Sequence, residues 1–218
     1  MKRDAASGSR RVWLARSLAL ALGAGGLSRA LAAEAVAKGV ARVRGEARVN
    51  GRLARPGMEI APGQAITTGR DAELVFVVGR DAFLARGDTR LELSGERIVQ
   101  ALRLVTGALL SVYPPGARKT IRTPTAAIGI RGTGLYVEVE AARTYVCTCY
   151  GEAELVPLDD PRQAETVRTA HHDQPRYIYP RGMPRMIEKA PVVNHTDAEL
   201  ILLESLVGRK VPFDPSRY

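Results

Sequence analysis

Aromatic residues make up only 5% of the 218-residue chain, with one tryptophan and three phenylalanines. That scarcity leaves no platform for stacking bases. The formal charge of +9 does not replace it, because six basic residues and one acid within residues 1–32 already carry +5. The remaining +4 is interspersed with acids, so no phosphate-tracking stripe is visible and nucleic acid is excluded as the expected partner. Also missing are G-x-S-x-G, H-E-x-x-H, a P-loop, a dinucleotide fingerprint and a C-x-x-C-H haem site. His171-His172-Asp173 has residue types suited to acid/base work but no nucleophile at a recognisable spacing. The chain therefore reads as a non-enzyme, with an enzyme of unrecognised type as the residual alternative.

Long apolar runs are absent too. Lys2, Arg3, Arg10 and Arg11 precede the short uncharged run Ser17 to Ser28, and Ala30-Leu31-Ala32 follows as a cleavage site. Basic region, short apolar run and A-x-A site together predict a cleavable export signal over residues 1–32, with a mature chain starting near Ala33. The run is too short for a permanent anchor, so no transmembrane helix is expected in the mature chain. Arg10-Arg11 followed by Trp13 and Leu14 favours twin-arginine export over the Sec route. The expected location is the periplasm.

What the chain has is turn chemistry. Leu74–Val78 is a β-branched and aromatic run ended by Gly79, and Leu91/Leu93 and Leu102/Leu104 alternate around Ser94-Gly95. Such alternation between closely spaced turns predicts an all-β sandwich or roll of short antiparallel strands over residues 33–158. Residues 159–218 read as a Pro-rich irregular arm plus one short α-helix. Thr196 and Glu199 form a capping box for that helix, and Gly208 and Pro212 stop it.

The segment Arg122–Glu140, RTPTAAIGIRGTGLYVEVE, places Gly129, Gly132 and Gly134 around Arg131 between two alternating runs. Thr123-Pro124 reads as the strand entry. TPTAAIGIRGTGLYVEV is similar to the signature of the FecR domain family, carried here by Thr123, Pro124, Gly129, Arg131, Gly132 and Thr133. The similarity extends through GQAITTGRDAELVFVVGRD, LRLVTGAL and TYVCTCYGEAELV, from Gly63 to Val156. The resemblance implies a periplasmic, non-catalytic β module that relays ligand status to a protein partner at the membrane, with a link to iron or metal uptake. The best-known members carry a sigma-factor-binding segment and a transmembrane helix before this domain. Here a cleavable signal stands in that place, so the chain is not expected to reach a cytoplasmic sigma factor.

Two readings of Arg131 fit the residues. Its planar fork can present five donors to a ligand or partner, or satisfy carbonyls exposed where the glycines break the ladder. The second, structural reading is the expected one.

Only two cysteines exist, Cys147 and Cys149, and in a strand they share a face. Their α-carbons would stand about 6.5–7 Å apart, at the limit of disulfide geometry. Buried thiols, a strained disulfide and metal ligation all remain open. The three histidines are His171, His172 and His195. With the cysteines they can supply a tetrahedral set for zinc or another transition metal, giving the alternative reading of a periplasmic metal-binding protein. Adjacent His171 and His172 would face opposite ways in an extended arm, so one of them and His195 complete the expected set.

Overall fold

The computed structural model describes residues 37–96 and 98–217. The expected export signal lies outside the described residues, which all fall in one compact unit, Glu34–Tyr218. Among the described residues, fourteen strands form one branched sheet. They are β1 (Gly39–Arg44), β2 (Ala47–Val49), β3 (Arg52–Leu53), β4 (Ala65–Thr68), β5 (Glu73–Val78), β6 (Asp81–Ala85) and β7 (Arg90–Ser94). After these come β8 (Ala101–Val112), β9 (Arg118–Arg122), β10 (Ala126–Val139), β11 (Thr144–Pro157), β12 (Glu165–Thr169), β13 (Arg176–Ile178) and β14 (Ile187–Lys189). The helix α1 spans Asp197–Leu206. Among the described residues, the all-β class with one short α-helix is as the sequence predicts. No described helix is long and apolar enough to cross a membrane.

Long strands organise the sheet. The first half of β8 pairs with β7 and, in parallel, with β9, while its second half pairs with β6 and β10. β10 likewise pairs with β9 through Ala127–Arg131 and with β8 through Gly134–Val139. Between these halves the register with β11 shifts at Arg131 and Gly134. Gly132 sits there at φ +59, and a Cβ on it would lie 2.8 Å from the Gly116 nitrogen and the Pro115 α-carbon. Only glycine fits this bend. Thr123 to Thr125 form the connection between β9 and β10, with the Ala126 N–H donating to Thr123 Oγ1 at 3.0 Å.

Period two divides the apolar residues into two clusters. Phe76, Phe83, Leu109, Leu135, Val137 and Val146 belong to the larger core. Their alternates Val75, Val77, Leu84, Leu110, Tyr136, Cys147 and Cys149 line a second cluster. Leu200 and Leu203 of α1 close that second cluster. The capping box fixes where the helix starts, since the Thr196 side chain accepts from the Glu199 N–H and the Glu199 carboxylate accepts from Thr196. Within the arm, β12 and β13 add to β11, and β14 adds to β13. The arm is thus partly built into the sheet.

Candidate metal centre

Strand β11 supplies the two sulfurs. Cys147 and Cys149 are fully buried on the helix-facing side and neither is in a disulfide. His172 follows β12 in a tight turn at φ 42, and its backbone N–H donates to the Cys149 carbonyl at 3.0 Å. His195 precedes the helix cap, and its ring stacks on Tyr136 at 4.6 Å and 14°. Its loop is pinned on both sides: Arg86 Nη2 donates to the Asn194 carbonyl at 2.6 Å, and Asn194 Nδ2 donates to Glu138 at 2.9 Å. One ligand atom from each of Cys147, Cys149, His172 and His195 therefore lies within 4.8 Å of the others, and all four residues are buried.

The outer ring nitrogens fix the tautomers. His195 Nδ1 lies 2.6 Å from the Val193 carbonyl, which can only accept, so Nδ1 carries the hydrogen. His172 Nε2 lies 3.0 Å from Asp197 Oδ1 and donates to that carboxylate. Two lone pairs then face inward, His172 Nδ1 and His195 Nε2, 2.9 Å apart. Such a pair needs a proton or a cation between its members. Cys147 Sγ stands 3.5 Å from His172 Nδ1. Around a tetrahedral ion, bonds of roughly 2.3 Å to sulfur and 2.0 Å to nitrogen give ligand-to-ligand edges of about 3.3–3.8 Å. The sulfur–nitrogen edge matches, and the nitrogen pair would open by a few tenths of an ångström.

The charges favour cation binding. The Cys149 thiol holds the Cys147 thiol well below its ordinary range against the cost of burial, with His172 and His195 assisting. Burial, together with the charge of Cys147, pushes Cys149 up. Burial opposes charge on His172, yet Cys147 and Asp197 outweigh it and raise its pKa. Two soft sulfurs and two imidazoles suit a thiophilic ion and not calcium or magnesium, which take oxygen ligands.

The expectation that adjacent histidines diverge meets a bent backbone. The left-handed turn at His172 brings both rings to Asp197, with His171 Nε2 2.9 Å from each carboxylate oxygen. His171 groups with His172 and Asp197, and His172 alone of the pair joins the cysteines. Burial opposes ionisation of Asp197, but the two imidazoles outweigh it and keep its carboxyl below the usual range. Sequence reasoning did not single out Asp197 or Tyr136. An acid in the first turn of a helix is ordinary, so Asp197 carried no signal.

The signature residues divide differently. Buried Thr123 and Thr133 satisfy backbone groups, Thr123 Oγ1 accepting from the Ala126 N–H at 3.0 Å and Thr133 Oγ1 donating to the Gly134 carbonyl at 2.9 Å. Pro124 lies exposed in the β9–β10 connection. The Arg131 side chain is 60% exposed and reaches Glu152 at 3.4 Å, in place of the expected contact with strand carbonyls. Because Ile128 and Ile130 point inward, Arg131 must point out.

No family model matches the chain. No curated protein matches it either. Two crystal structures of a candidate anti-sigma factor from Parabacteroides distasonis ATCC 8503 align with it at 14% identity and a TM-score of 0.47. The alignment covers 58% of this chain and 58% of that one.

Proposed function

We propose that the chain is an exported, non-catalytic module in which one thiophilic transition-metal ion, zinc by its donor set, ties the arm and the helix to the sheet. The observation that carries this reading is the convergence of two buried sulfurs and two inward lone pairs whose imidazoles already donate outward. All four ligands come from the protein and are buried, the arrangement of a structural rather than a catalytic zinc site. An ion there would also protect the thiols in an oxidising compartment. The ligands come from β11, the turn after β12 and the loop before α1, so the ion would join three separate parts of the chain.

The FecR-like segments support a second element of the reading, relay to a protein partner. They run through β4, β5, β8, β10 and β11, the strands from which the sheet and both cores are built.

Elemental analysis of protein purified without affinity tags or chelators tests the metal, with the Cys147→Ala, Cys149→Ala double variant alongside. About one equivalent of zinc is expected in the wild type and none in the variant. Less than about 0.2 equivalents of any transition metal, or metal retained by the variant, refutes the reading. N-terminal sequencing of protein from its native compartment tests export, with a start near Ala33 expected.

A further inference from the structure

A different place on the sheet breaks two local rules at once. Along β9 to β12 the inward positions are Ile121, Ile128, Ile130, Ala153, Leu155 and Val167, and the alternate residues face solvent. One outward row crosses all four strands by register: Arg118, Arg131, Glu152 and Arg168. Arg118 and Arg131 are direct partners, and like charges directly opposed across a ladder repel. Glu152 is shared between Arg131 at 3.4 Å and Arg168 at 2.6 Å. Arg118 forms no ion pair among the described residues.

Beside this pair, Gly129 lies between Thr120 and Glu154. Its φ is not in the left-handed region, and a Cβ there would stand 3.5 Å from Glu154 Cβ, an ordinary contact. The backbone does not require glycine, and a glycine inside a strand weakens it. A notch of about 210 Å³ opens here, lined by Gln100, Arg118, Lys119, Thr120, Gly129 and Arg131. Local rules that fail together mark a functional site more often than an accident.

We propose that this notch receives a carboxylate side chain of an acidic protein partner, clamped between Arg118 and Arg131. Each guanidinium fork matches a carboxylate, and a carboxylate between them relieves the repulsion of the pair. Glu154, whose Oε2 lies 3.6 Å from where a Gly129 Cβ would be, stands at the rim with Glu152 beyond it. Those acids penalise a dianionic phosphate or an anionic membrane more than a single carboxylate. A fixed row of mixed signs on rigid strands is complemented by a protein surface. The site shares no residue with the Cys/His centre, so either proposal can fail without the other.

The test is calorimetric titration of the full chain with acetylated hexaglutamate amide. Saturable, salt-sensitive binding is expected, weakened at least about tenfold by Arg118→Gln or Arg131→Gln. Gly129→Ala keeps every charge but narrows the floor of the notch, and about a fivefold loss without a fall in Tm is expected. An unchanged affinity in Gly129→Ala reduces the site to diffuse charge and overturns the notch. Absence of binding by the wild type overturns the proposal, as does equal competition by inorganic phosphate or preferential binding to phosphatidylglycerol vesicles.

Discussion

His172 Nδ1 and His195 Nε2 approach to 2.9 Å with both opposite ring nitrogens already donating, His172 to Asp197 and His195 to the Val193 carbonyl. The protein thus holds two imidazole lone pairs toward one point. A carboxylate behind a ligating imidazole fixes its orientation and raises its basicity. Asp197→Asn should therefore lower zinc affinity by about 10–100-fold while leaving the stoichiometry intact. Competition against a chromogenic chelator measures this, and an unchanged affinity would show that Asp197 does not orient His172.

Chelation should loosen specific segments. His172 lies in the turn after β12 and His195 in the loop before α1, whereas both sulfurs belong to the central strand β11. Removing the ion should lower Tm and speed amide exchange in residues 170–175 and 193–206 before the strands of the larger core respond. Uniform loss of protection across β5, β8 and α1 would mean that the ion supports the whole fold instead of these attachments.

Much of this site was legible because it depends on period two: Cys147 and Cys149 had to share a face. The capping box likewise marked the start of α1 and placed His195 just ahead of it. The left-handed His172 was not legible, since nothing short of the packed turn tells which of two adjacent histidines bends inward. Strands β13 and β14 were hidden for another reason. They are three residues each among prolines and charges, too short for alternation to show, and form by pairing with strands already in place. The outward placement of Arg131 is hidden in the sequence by a change of parity at Gly132. Ile128 and Ile130 face in before it and Leu135 and Val137 after it, which leaves the arginine outside.

The glycines around that arginine should respond in opposite ways. Gly132→Ala forces a Cβ into the Pro115–Gly116 backbone at positive φ and should cost about 1–3 kcal/mol or more. Gly129→Ala has room and should be neutral or stabilising by up to about 1 kcal/mol. Arg131→Ala, removing an exposed ion pair, should change stability by less than about 1 kcal/mol. Urea denaturation of the three variants checks the order. A large loss in Arg131→Ala would restore a structural role for the guanidinium.

The buried pair of Lys119 and Asp81 should behave asymmetrically. Their charged groups meet at 2.8 Å with side chains only 8% and 3% exposed, and Lys119 Nζ also donates to the Val99 carbonyl. Burial raises the Asp81 carboxyl above its ordinary value of 3.8, and Lys119 counters only part of the shift. The folded protein therefore holds that proton more tightly than the unfolded chain. The resulting stability is full below the unfolded pKa and is lost as pH rises through the raised native value. Lys119→Met removes the countering cation and strands a buried carboxylate, at a cost of about 3–5 kcal/mol. Its deficit should be larger at neutral pH than in mild acid, where Asp81 takes up its proton. The double variant Asp81→Leu, Lys119→Met removes both desolvated charges and should recover most of the loss, because a well-packed apolar pair often equals a buried ion pair. Chemical denaturation at the two pH values decides it. A single variant as stable as wild type at neutral pH would show that the pair is hydrated, and a double variant well below wild type would show that the pair is a net source of stability.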